Sequence, residues 1–197
     1  MGLAVLSRPI VLLLYPQKES VDTVSYLVAG LSISVVFYAI STISNGVLQG
    51  IGKVSIPVIN AAVALVIQTA VLVPLLLFTE LELFTLVIAT VLYAFLMCIL
   101  NGISVRKHLG YRQEIVKTFC IPFWASVIMG AAAFGVYYGL YQLTGINVIC
   151  LAAALIVAVA VYFVLVINMG AVGKRELQSL PKGGLFVRIA QKCRLIS

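Results

Sequence analysis

The stretch Asn45-Gly46-Val47-Leu48-Gln49-Gly50-Ile51-Gly52-Lys53-Val54-Ser55-Ile56-Pro57 is a polar hinge between two long apolar runs, 24–48 and 55–78. Neither run contains Asp, Glu, Lys, Arg or His, and each exceeds the roughly 20 residues that a helix needs to cross a bilayer core of about 30 Å. Together they predict a transmembrane helical hairpin. Gly46, Gly50 and Gly52 allow the backbone to turn sharply beside Gln49, and Lys53 gives the turn a positive charge. Pro57 suits the first turn of the second helix, where a missing N–H costs nothing. From these residues alone, a plain tight turn and a turn with its own function both remain open.

The composition extends this reading to the whole chain. Its 197 residues are 63% hydrophobic and only 10% charged, with a mean hydropathy of +1.18, whereas soluble domains carry about 25% charged residues. The chain therefore reads as an integral membrane protein. Three further uncharged runs, 83–105, 118–140 and 146–169, are each long enough to span. Barrel strands would alternate polar and apolar residues over about ten positions, and these runs do not. The expected fold is an all-α, polytopic transmembrane helical bundle with five full spans and a partial one at the N-terminus. The partial span, 1–15, is apolar but contains Arg8 and Pro9 and is too short to cross by itself, so it reads as a truncated span or a re-entrant end. It does not read as a signal peptide, because its charge lies inside the apolar run and no small-residue cleavage pattern follows. The expected transmembrane domain is thus 1–169, followed by a basic tail, 170–197.

The net charge of +7 is explained by topology better than by nucleic-acid binding. With alternate loops on alternate sides, eleven of the thirteen Lys and Arg fall on one side: Lys53; Arg106, Lys107, Arg112 and Lys117; and six in the tail from Lys174 to Arg194. By the positive-inside rule that side is the cytoplasm, which also holds the hinge and the C-terminus. Within the tail, Leu185, Phe186, Ile189, Cys193 and Ile196 recur at helical spacing among basic residues, a pattern that suits a helix on anionic membrane lipids or a disordered cationic end. Cys98, Cys120, Cys150 and Cys193 form no C-x-x-C pair and predict neither disulfide nor zinc site.

Polar residues inside the spans are the candidates for function. Ser32, Ser34, Ser41, Thr42, Ser44 and Asn45 make the hinge half of span 24–48 unusually polar. Asn60 and Gln68, eight apart, fall near one face of the next span, and Asn101 stands alone near the end of the third. Such groups hydrogen-bond between helices or line a substrate cavity. Arg8 at mid-membrane would cost about 2.5 to 3.5 kcal/mol and would need protein or water beside it; near an end it would snorkel. The cavity candidates are therefore Arg8, Ser41, Asn45, Asn60 and Gln68. Pro74 should kink its span, and Gly130 to Ala133 with Gly135 form a small-residue face for close helix contact. No carboxylate pair, metal set or phosphate loop is present, the single histidine is His108 in a basic loop, and neither an enzyme nor a bound cofactor is expected.

Four stretches together resemble a known family. They are the hinge itself, Leu6-Ser7-Arg8-Pro9-Ile10 with the following Leu-Leu-Leu-Tyr, Ile121-Pro122-Phe123-Trp124-Ala125-Ser126 with Met129-Gly130, and Lys174-Arg175-Glu176-Leu177 with Leu180-Pro181-Lys182-Gly183-Gly184. The chain resembles the stage V sporulation protein B branch, near the lipid II flippases, of the multidrug/oligosaccharidyl-lipid/polysaccharide exporter superfamily. This resemblance implies about fourteen helices in two lobes, of which the chain would supply the later part of the second, with the first lobe in the same or a separate chain. It implies transport of a lipid-linked saccharide across the bacterial inner membrane by alternating access. A multidrug exporter of that superfamily, and a non-transporting membrane partner, are the other readings.

Overall fold

A computed structural model describes residues 1–15, 20–80, 83–110 and 121–169. Among the described residues seven α-helices follow in chain order: α1 (Gly2–Val5), α2 (Ser7–Leu14), α3 (Val21–Gly50), α4 (Ser55–Phe78), α5 (Leu83–Leu109), α6 (Ile121–Thr144) and α7 (Asn147–Asn168). The last five are long and apolar enough to cross a membrane, and no strand occurs among the described residues. The fold is an all-α polytopic bundle. The tail 170–197, including its amphipathic stretch, lies outside the described residues, as do Cys120 and Cys193.

Two helices run past the apolar stretches that suggested them, and the helix dipole explains both. Helix α3 starts at Val21 and takes Asp22 into its first turn, while α5 continues to Leu109 and takes Arg106, Lys107 and His108 into its last. An acid at the N-terminus and bases at the C-terminus each meet the opposite end of the macrodipole, so charge ends an apolar run without ending the helix.

The described N-terminal segment is not one straight helix. Pro9 has no N–H to give the Val5 carbonyl, and its ring crowds that turn, so the chain breaks at Leu6 between α1 and α2. The thirteen or so residues from Gly2 to Leu14 rise about 20 Å.

The hinge closes by a Schellman arrangement: Lys53 N donates to Leu48 O at 2.9 Å and Gly52 N to Gln49 O at 3.0 Å. This geometry places Gly52 in the left-handed region, at φ 74°, where a Cβ would clash with its own backbone. Here the sequence reading needs correcting, because the turn uses one of the three glycines. Gly46 lies inside α3 and Gly50 is its last residue. Pro57 does sit in the first turn of α4, and it is buried; Gln49 and Lys53 are exposed.

The helices form two compact units. One joins α3, α4 and α5; the other joins α1, α2, α6 and α7. In the first, α5 is central: α3 and α4 both pack along it and touch each other little. In the second, Leu6 packs with Ala133, Tyr137, Cys150, Leu151, Ala154 and Ala158, so the core is built where α2 begins against α6 and α7. The small-residue face of α6 is used only in part. Gly130 and Ala133 are buried, whereas Ala131 and Gly135 are exposed; a Cβ on Gly130 would stand 3.4 Å from Val5 Cγ2.

These assignments separate the glycines experimentally. Gly52→Ala should lower stability by about 1 kcal/mol or more through its positive φ. Gly46→Ala should be neutral or stabilising by up to about 1 kcal/mol, since a Cβ there meets nothing within 4 Å and glycine weakens a helix interior. Thermal unfolding of the detergent-solubilised variants measures both.

Candidate functional site

Most hydroxyls of α3 are occupied by their own helix. Ser25, Ser32, Ser34, Thr42 and Ser44 donate to the carbonyls of Val21, Ala29, Leu31, Tyr38 and Ile40 respectively. Such back-bonding lets a hydroxyl sit in an apolar medium without a partner from another helix. The polar half of α3 is therefore not a general wet surface. Ser41 and Asn45 instead bond to another helix.

Both converge on Asn101 of α5, which is fully buried. Asn101 Nδ2 donates to Ser41 Oγ at 2.9 Å and to Asn45 Oδ1 at 2.8 Å. Its Oδ1 accepts from Asn60 Nδ2 of α4 at 2.9 Å. Asn60 Nδ2 also donates to Ser104 Oγ at 3.1 Å, and Ser104 in turn donates to Leu100 O. One side chain thus ties three helices together close to the hinge. Of the sequence candidates, Ser41, Asn45 and Asn60 come together here. Asn101, which the sequence shows only as a solitary amide, is their hub. Neither local spacing nor composition could reveal it, because its partners lie 41 to 60 residues away in the chain.

Gln68 continues the stripe of α4 that includes Asn60 and the buried Ala64, but it lies about 12 Å beyond the node. It makes no hydrogen bond to another described residue. The opposite face of α4 carries an open groove of about 530 Å³ lined by Leu65, Val66, Thr69, Ala70, Val73 and Pro74. That groove is apolar and carries none of the candidates.

Arg8 belongs to the other unit. The carbonyl of its neighbour Pro9 accepts from Asn147 Nδ2 at 3.0 Å, and Asn147 Oδ1 accepts from the Tyr137 hydroxyl at 2.8 Å. Asn147 is the first residue of α7. Arg8 therefore lies near the level at which α7 begins, and its side chain is exposed on the unit. Beside it Tyr137 stacks on Tyr141, their rings 5.6 Å apart and 17° from parallel. Aromatic residues of this kind suit a membrane–water boundary. Sequence reasoning missed both Tyr137 and Asn147. The free Cys150 is buried here, with its sulfur 3.1 Å from Thr144 Oγ1.

Among the described residues no group of three or more His, Cys, Asp or Glu could hold a metal ion. With amides and hydroxyls but no carboxylate or histidine at the node, the arrangement can bind and align polar groups and can fix helices; it cannot exchange protons at ordinary pH. Fold and node together define a multi-pass membrane protein whose intramembrane polar groups hold helices in register. No protein-family model, curated protein or solved structure matches the chain.

The two nodes can be tested separately. Asn101→Leu removes three interhelical hydrogen bonds at about 0.6 kcal/mol each and strands their partners, so it should cost about 2 kcal/mol or more. Asn147→Ala removes two and should cost about 1 kcal/mol. Unfolding midpoints in mild detergent report both, and an Asn101→Leu variant as stable as the parent would refute the node's role.

Proposed function

We propose that this chain forms the later part of the second lobe of an inner-membrane flippase that moves an undecaprenyl-pyrophosphate-linked saccharide outward by alternating access. What carries the reading on the structural side is the Asn101 node. Rocking-bundle transport needs groups of helices that move as rigid bodies. A buried amide bonded to α3 and α4 at once makes such a body of the three helices. The four sequence stretches that resemble the stage V sporulation protein B branch supply the class of cargo, and the chain itself performs no covalent chemistry.

Under this reading the hinge and the C-terminus face the cytoplasm, and the partners are membrane lipids, the lipid-linked saccharide and the first lobe. A C-terminal fusion should therefore give active green fluorescence and inactive alkaline phosphatase. The native-locus product, tagged at its C-terminus and reconstituted into liposomes, should translocate a fluorescent lipid-linked saccharide, whereas the 197-residue chain alone should not. Ion-dependent dye efflux without saccharide movement would instead favour a multidrug exporter, and transport by the short chain alone would overturn the division into lobes.

A further inference from the structure

Among the described residues, charge on the α3–α5 unit is divided between its two ends. Gly30 of α3 meets Val87 of α5, Phe37 pairs with Phe95 and Ser41 bonds Asn101, so positions rise together and the two helices run parallel. Asn60, near the start of α4, bonds Asn101 and Ser104, near the end of α5, so α4 runs the other way. Asp22 in the first turn of α3 and Glu80 just past the end of α4 therefore share one end. Lys53, Arg106 and Lys107 share the other, where no described acid lies.

Arg106 and Lys107 are left free for a ligand at that end. His108 Nδ1 lies 2.9 Å from Ser104 O; a carbonyl only accepts, so this nitrogen donates and the ring is folded back onto its own helix. The Gly110 N–H caps the Arg106 carbonyl at 3.0 Å, with Gly110 at φ 62°. The end of α5 is thus closed by groups other than its two cations. Among the described residues Arg106 and Lys107 make no ion pair or hydrogen bond, and both are exposed.

Helical spacing fixes what lies beneath them. Ile103 precedes Arg106 by three positions and Lys107 by four, and Ile99 precedes Ile103 by four, so all four line one face of α5. Ile99 is 40% and Ile103 60% exposed, whereas Asn101 and Val105, on the opposite side, are buried. The face therefore points away from α3 and α4. A soluble anion has no use for the aliphatic stripe, and a bare hydrocarbon chain has none for the cations. Two bases one turn above exposed isoleucines match a ligand that joins phosphate to hydrocarbon. With no acid beside them, they favour a headgroup of net negative charge over one whose own ammonium would meet them.

We propose that Arg106 and Lys107, with Ile103 and Ile99 below them, form a binding site for an anionic phospholipid such as phosphatidylglycerol. The guanidinium and the ammonium hold the phosphodiester, and an acyl chain lies along the isoleucines. Lys53, in the α3–α4 hinge, adds to the positive potential of this end but does not share the face. The site depends on the membrane-spanning helices alone and stands without the flippase reading.

The full 197-residue chain in nonionic detergent tests this, titrated with phosphatidylglycerol and with phosphatidylcholine of the same acyl chains and read by native mass spectrometry. The parent should bind phosphatidylglycerol about tenfold more tightly. Arg106→Gln with Lys107→Gln should remove that preference, the exchange Arg106→Lys with Lys107→Arg should keep it, and Lys53→Gln should lower it no more than about twofold. Glycerol 3-phosphate, which carries the phosphate without acyl chains, should not compete. A benzophenone side chain in place of Ile103 should crosslink to phospholipid in vesicles that mix the two lipids. The proposal is overturned if the parent binds both lipids alike, if the double glutamine variant keeps the preference, or if Lys53→Gln weakens it as much as the double change, which would mean a diffuse positive end rather than a site. Competition by glycerol 3-phosphate would make the ligand a soluble anion, and crosslinking to polypeptide would put a protein helix on the stripe; either result also overturns it. If the double glutamine variant fails to fold, the competition and the crosslink decide.

Discussion

A bilayer offers no water to a polar group, so each amide or hydroxyl inside it must find its partner in the protein, and the Asn101 side chain shows what that demand produces. Both of its N–H groups and its oxygen are met by residues of two other helices. Between apolar helices in lipid there is little hydrophobic drive to associate, so packing and such bonds set the arrangement. Leu48 and Pro57, on either side of the hinge, are both buried, and the Schellman turn between them brings α3 and α4 back to the same end of α5. Hinge and node act together: the turn sets the spacing at the end of the hairpin, and the amides set its register.

The second unit solves the same problem differently. Its interior is largely apolar, centred on Leu6, Ala133 and Cys150, and its polar contact sits at one end, where Asn147 links Tyr137 to the Pro9 carbonyl. That link anchors α2. An asparagine at the start of α7 thus ties the backbone of α2 to that helix. The neighbouring tyrosines and Arg8 share this level, as expected for groups with an apolar body and a polar tip.

Long elements were legible in the chain because hydropathy over twenty residues is a strong local signal, and the five helices that are long and apolar enough to cross emerge from it directly. Their ends were less so. Charge was used to end each run, yet Asp22 and Arg106 to His108 belong inside helices, where dipole and charge agree. Among the candidate residues, Ser41, Asn45 and Asn60 were visible as polar positions in apolar surroundings, but their chemistry was not. A serine that bonds its own helix and one that bonds another look alike in sequence. Ser44 does the first and Ser41 the second.

The amino-acid sequence by itself determined the solvent this protein requires, the number of long helices and the place of the main turn, because these depend on residues near one another in the chain. It also bounded the chemistry, since the long apolar runs bring no charge to the interior. Only the tertiary structure decided that one glycine of three makes the turn, that Arg8 lies near the level at which α7 begins, and that Asn101 gathers Ser41, Asn45 and Asn60. The physical reason is the same in each case. A side chain's partner depends on the rotation and register of helices that are distant in sequence, and hydropathy, which averages over a helix, carries no information about either.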